Sequence, residues 1–172
     1  MAEIEQLPDA RQIMQLKVCR ARGTVLQLAI ETENLIEGYI ASKFAESQAK
    51  RTELIITILA KRVGANDKID VFRLLIQRYD KAFYSKHKSI IGKIKSINQT
   101  RNQFAHWPVS LKSEDIEMHS KGKGFRLIRL TVKKELSDKT DIPDEIYSNS
   151  RLNDKVKYIT GVNILLIKLI NS

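Results

Sequence analysis

The sequence predicts an all-α protein, an up-and-down helical bundle interrupted by one β-hairpin before its last helix. Three observations predict it. Apolar side chains recur at helical spacing through most of the chain. One stretch, Phe125 to Lys133, alternates at period two instead. A long amphipathic segment then follows, with Leu152, Val156, Ile159, Val162, Leu166 and Leu169 on one stripe.

The bulk properties bound the function. The 172 residues fit a single domain with a real core, and 42% hydrophobic content excludes a disordered tail. A net charge of +10 and a pI near 9.7 favour an anionic partner, with nucleic acid the first candidate. A basic surface kept for solubility is the plain alternative. One cysteine, Cys19, permits no internal disulfide and suits a reducing cytoplasm. Met1 to Asp9 is acidic and poor in apolar residues, so no signal peptide is expected. The most apolar run, Val162 to Ile170, contains Asn163 and Lys168 and is too short to span a bilayer. No membrane association is expected.

In chain order, residues 9 to 22 suit a short helix after Pro8, with Ile13, Leu16 and Cys19 or Arg20 along one side. Gly23 is placed to kink it or to separate it from the next segment. Val25, Leu28, Ala29, Leu35, Ile36, Tyr39, Ile40 and Phe44 give a second stripe, to about Ala45. Glu31, Glu33 and Glu37 read as its solvated surface. A helix over about Ala49 to Val63 is so dense in apolar residues that it is expected to be largely buried. Gly64 suits the residue that ends it, and Asp67 the cap of the next helix. That helix carries Phe72, Leu75, Ile76, Tyr79 and Phe83. Lys81, Lys86, Lys88, Lys93 and Lys95 follow, interleaved with Phe83, Tyr84 and His87. Such a mixture holds single-stranded RNA by phosphate contact and stacking, or is simply a solvated face beside a core ring.

The motif helix begins near Lys88 and is stopped by Pro108. Its stripe is Ile90, Ile94, Ile97 and Phe104, and at the missing position stands Arg101. A charge there is costly unless it is paired or used. Lys88, Lys95, Asn102 and His106 share another flank. Arg101 and His106 are five residues apart, so on a regular helix they diverge by roughly 140°. Either the helix distorts near Pro108, or each works with a second copy. Beyond it, Ile116 to Lys121 and Phe125 to Lys133 flank Gly122-Lys123-Gly124 as the arms of a basic β-hairpin. A loop runs through Pro143, and Asn149 or Ser150 suits the cap of the last helix.

The Arg101-Asn102-x-x-Ala105-His106 pattern resembles the signature of the HEPN superfamily. Glu33 to Ile40 and Lys68 to Leu75 are similar, more weakly, to that family's earlier helices. The resemblance implies a small HEPN-like all-α domain, often a metal-independent ribonuclease of toxin–antitoxin, abortive-infection or CRISPR-associated systems. It also implies a homodimer in which two motifs face one cleft. Some toxin members carry a tyrosine two residues after the histidine, which a partner nucleotidyltransferase modifies. Here Pro108 stands there, so that route of neutralisation is not expected. An antitoxin or other regulatory protein remains an expected kind of partner.

The residues allow this chemistry without a cofactor. His87, His106 and His119 lack metal-ligand spacing, no nucleotide-binding Gly-rich loop is present, and no serine sits in a nucleophile elbow. No metal or cofactor is expected. RNA cleavage by its own 2′-hydroxyl needs only a base, a cation and polar positioning groups. His106 serves as base or acid, Arg101 holds the phosphate oxygens, and Asn102 orients either. Lys95 and Gln99, further back on the helix, are the candidate substrate contacts. The residues alone also allow a plainer account, with His106 answering the helix dipole, Arg101 paired to Glu31, Glu33 or Glu37, and Trp107 as a packing anchor. A catalytically silent HEPN-like RNA- or protein-binding module is the alternative function. An unrelated basic interaction module is a third.

Overall fold

A computed structural model describes residues 9–128 and 145–172. It is all-α with one small antiparallel sheet before the last helix. The helices are α1 (Ala10–Phe44), α2 (Gln48–Leu54), α3 (Ala60–Arg62), α4 (Ala65–Tyr79), α5 (Lys81–Lys86), α6 (Ile90–His106), α7 (Ser113–Ser120) and α8 (Asn149–Ile170), and a π-helical turn, Ile55–Leu59, joins α2 to α3. The strands are β1 (Phe125–Leu127) and β2 (Glu145–Tyr147). Among the described residues no helix is long and apolar enough to cross a membrane. The described residues form two compact units, one of 9–26, 102–128 and 145–155, the other of 27–101 and 156–172.

The second unit is helical. Its core is built from the stripes: Ile36, Tyr39 and Ile40 of α1, Ile69, Phe72 and Ile76 of α4, Ile90, Ile94 and Ile97 of α6, and Ile159, Val162 and Leu166 of α8 are buried. Tyr39 meets Phe72 edge-on, ring centres 5.1 Å apart. The Tyr39 hydroxyl donates to Asp80, which also pairs with Lys43 at 3.2 Å and fixes the corner between α4 and α5. Thr32 and Asn163 are buried in this core and satisfy each other. The Thr32 hydroxyl lies 2.6 Å from Asn163 Oδ1, while Asn163 Nδ2 donates to the Leu28 carbonyl at 3.1 Å.

The other unit packs Phe104, Phe125 and Tyr147 together. The Phe104 and Tyr147 rings meet edge-on at 4.8 Å, and Phe125 stacks on Tyr147 at 5.9 Å. Strand β1 pairs with β2 in the register Phe125–Tyr147, Arg126–Ile146, Leu127–Glu145. Its other edge takes the chain leaving α6. The Ser110 N–H donates to the Arg126 carbonyl, and the Ile128 N–H to the Pro108 carbonyl, both at 2.9 Å. Pro108 has no N–H to donate but its carbonyl is used.

Several expectations are corrected. Gly23 neither kinks nor divides: α1 runs unbroken for 35 residues. A glycine inside a helix costs about 1 kcal/mol, which the buried neighbours Ala21 and Val25 offset. The 49–63 segment is not largely buried: within it only Leu59 is, and Ile56 and Ile58 are 52% and 48% exposed. Gly64 is the N-cap of α4 at φ −67°, and Asp67 lies in the first turn, where its charge suits the dipole. The first hairpin arm is a helix, α7, and the true partner of β1 is β2. Gly122, at φ +74°, ends α7: the Gly122 N–H bonds the His119 carbonyl and the Lys123 N–H the Met118 carbonyl. That is a Schellman exit, not a strand turn. The part of the second arm beyond Ile128 lies outside the described residues. The cap of α8 is Ser148, whose hydroxyl accepts the Arg151 N–H at 3.2 Å.

Candidate functional site

Helix α6 carries every residue singled out for chemistry. Its buried side is Ile90, Ile94, Ile97 and Phe104, as the spacing predicts. The helix stays regular to its end, and the Trp107 N–H still bonds the Gln103 carbonyl at 2.9 Å. No distortion turns Arg101 toward His106. On this helix the two side chains leave the axis roughly 140° apart.

Lys95, Gln99, Asn102 and His106 are all exposed. Their spacings of four, three and four residues put them on one stripe. Lys95 lies 3.4 Å from Asp70. His106 is the last residue of α6, at the negative end of the dipole. After it, the Trp107 carbonyl accepts a hydrogen bond from the Arg22 guanidinium, so a cation closes the helix C-terminus. Trp107 itself is half-buried.

Arg101 is half-buried and lines a small cleft of about 30 Å³ with Thr32, Glu33, Lys68 and Asn98. The surprise in this cleft is Lys68. It is 3% exposed, and its ammonium donates to Glu33 at 2.6 Å and to Glu37 at 2.5 Å. Burial pushes the Lys68 ammonium down, but its hydrogen bonds and charge attraction to the two carboxylates outweigh this and hold it above the ordinary lysine value. The solvated reading of Glu37 is therefore wrong, since it is 4% exposed, whereas Glu33 is half-buried. The sequence held the signal. Lys68 precedes Phe72 by four and Leu75 by seven, on the apolar stripe of α4, as Arg101 does on α6.

Gln103 is a second residue that sequence reasoning missed. Its side-chain amide donates to Glu145 at 3.0 Å, and its carbonyl oxygen lies 3.0 Å from the Tyr147 hydroxyl. Tyr147 also donates to Glu145 at 2.7 Å, and Arg151 reaches Glu145 at 3.2 Å. Burial, with the hydrogen bond to Glu145, pushes the Tyr147 phenol well above its usual range. This network ties the last turn of α6 to β2, so the backbone beside Asn102 is held.

Among the described residues no group of three His, Cys, Asp or Glu side chains is placed to hold a metal ion. His119 is buried, with Nδ1 3.2 Å from the Gly124 carbonyl. Comparison with known protein families, with curated proteins and with solved structures gives no match.

Proposed function

We propose that the protein is a metal-independent endoribonuclease of the HEPN kind, acting as a homodimer in the cytoplasm on single-stranded RNA. The observation that carries the reading is α6: an exposed stripe of Lys95, Gln99, Asn102 and His106, with Arg101 on the otherwise apolar side. The net charge of +10 supports an RNA partner. In this mechanism His106 takes the 2′-hydroxyl proton and the oxygen attacks phosphorus. The P–O5′ bond breaks, and the leaving oxygen takes a proton from an imidazolium. Arg101 holds the non-bridging oxygens through its planar fork, Asn102 orients the phosphate, and Lys95 and Gln99 hold flanking nucleotides. The divergence of Arg101 from His106 within one chain is met by a second copy, so that each site draws on two chains. An activity of this kind against cellular RNA calls for a restraining partner, an antitoxin or other regulatory protein in a toxin or phage-defence setting.

The divergence also favours a second reading for an isolated chain, a catalytically silent RNA- or protein-binding module. One experiment separates them. Purified protein is incubated with labelled single-stranded RNA in EDTA and in Mg²⁺, alongside His106→Ala and Arg101→Lys. The expected result is equal cleavage in both buffers, leaving a 2′,3′-cyclic phosphate and a 5′-hydroxyl. His106→Ala should lose about 10²–10⁴-fold, and Arg101→Lys most of the activity despite its charge. A requirement for a divalent ion with 5′-phosphate products would overturn these roles. No cleavage, with RNA binding unchanged in His106→Ala, would favour the silent module.

A further inference from the structure

A second feature of the helical unit is a groove of about 530 Å³ where the end of α4, α5 and the end of α8 meet. Its volume lies within the range of real ligand sites. Three lysines line it: Lys81 and Lys86 from α5, and Lys168 from the last turn of α8. Among the described residues none of them forms an ion pair. The acid in the lining, Asp80, is already engaged by Tyr39 and Lys43, so the groove keeps its positive charge. Tyr79, Phe83 and His87 line it too. Phe83 and His87 lie ring to ring at 4.7 Å. Tyr79 is 53% exposed, with the Arg78 guanidinium 5.4 Å from its ring centre.

We infer that this groove binds single-stranded nucleic acid, the lysines taking phosphates and Tyr79 stacking on a base. Charge alone would suit any polyanion. The aromatic groups decide: a duplex offers phosphates but keeps its bases stacked inside, whereas a single strand offers both. An exposed tyrosine beside lysines that form no ion pair among the described residues is the arrangement that uses both. The groove is also separate from Arg101. Along α6, Arg101 lies about 16 Å from Ile90, the first residue after the turn that carries His87. The site therefore needs no cleavage to exist, and its test does not depend on the nuclease reading.

The test is fluorescence anisotropy with a fluorescein-labelled 2′-O-methyl oligouridylate of about twelve nucleotides. Such a strand has no free 2′-hydroxyl and stays intact even if the protein is a ribonuclease. The combined variant Lys81→Ala, Lys86→Ala, Lys168→Ala should weaken binding at least about tenfold and flatten the log K against log salt slope by about 2. Tyr79→Leu should weaken binding roughly tenfold and leave the salt slope unchanged. A charge-matched control on the exposed face of α1, Arg11→Ala, Lys17→Ala, Arg20→Ala, should change affinity far less. The inference is overturned if both triple variants weaken binding equally, which would mean diffuse attraction to a basic protein. It is overturned too if Tyr79→Leu binds as wild type, or if a duplex of equal length competes as well as the single strand. All the substituted side chains lie on the surface, and Phe83 and His87 are left intact, so circular dichroism should confirm an unchanged fold.

Discussion

Replacing Lys68 with methionine tests the buried charge cluster beside Arg101. The substitution keeps an unbranched apolar stem out to Cε and removes the ammonium. Glu37 then has a carboxylate whose side chain is 6% exposed and which has lost its cation; Glu33, at 34%, can turn toward water. Breaking a buried pair by removing one partner costs about 3–5 kcal/mol, nearly all of it assigned to Glu37. The exposed half of the cluster adds at most about 1 kcal/mol. For a chain of this length the melting temperature should fall by about 6–20 °C. Thermal and urea unfolding followed by circular dichroism would measure it. The double variant Lys68→Met, Glu37→Leu should recover most of the loss, because apolar replacement of both partners leaves no orphaned charge. If Lys68→Met costs under about 1 kcal/mol, or the double variant is worse than the single, the cluster is not the desolvated ion pair described here.

Three further outcomes are expected. Gly124, at φ +106°, would place a new Cβ 2.1 Å from the Tyr147 carbonyl oxygen, so Gly124→Ala should cost at least about 2 kcal/mol in urea unfolding; a change within 0.5 of zero, on that order, would contradict the pairing of β1 with β2. Stability should fall as pH rises above about 10. Lys68, Tyr39 and Tyr147 all hold their protons more tightly when folded, so the folded state binds more protons than the unfolded one in that range. Melts at stepped alkaline pH would check the sign, and a rise in stability would refute it. Finally, if each cleavage site draws Arg101 from one copy and His106 from the other, mixing inactive Arg101→Ala and His106→Ala proteins with subunit exchange should restore up to about a quarter of wild-type activity. Sites formed within single chains would restore none.

What the sequence made legible was periodicity. The buried face of α6, the half-buried Arg101 on it and the exposed Asn102 and His106 all follow from counting residues. What it hid were facts that depend on a second element. The Ile56 and Ile58 side chains favour burial, but an apolar run does not supply an element to cover them. Gly122-Lys123-Gly124 marks a reversal, and the same glycines serve a hairpin or a helix exit; the pair Glu117–Lys121 at helical spacing, 2.5 Å apart, was the discriminating signal. Strand β2 is three residues long and falls in the short stretch between the loop through Pro143 and the last helix, too brief to show a period. Lys68 was missed because a lysine between Asp67 and Ile69 reads as surface until its place on the α4 stripe is counted.

The buried contact of Thr32 with Asn163 has a consequence for which alignment of the helices is reached. Around it, α1 and α8 present isoleucine, valine, leucine and alanine side chains whose shapes recur every turn. A slide of one helix by a turn, about 5.4 Å, would set similar teeth into similar gaps. It would also carry Asn163 away from Thr32 and from the Leu28 carbonyl. The Asn163 amide would then lose these partners, at a cost of about 1–3 kcal/mol, while the Thr32 hydroxyl would keep the Leu28 carbonyl of its own helix. The apolar faces make association favourable at several offsets, and these two polar side chains leave one offset unpenalised.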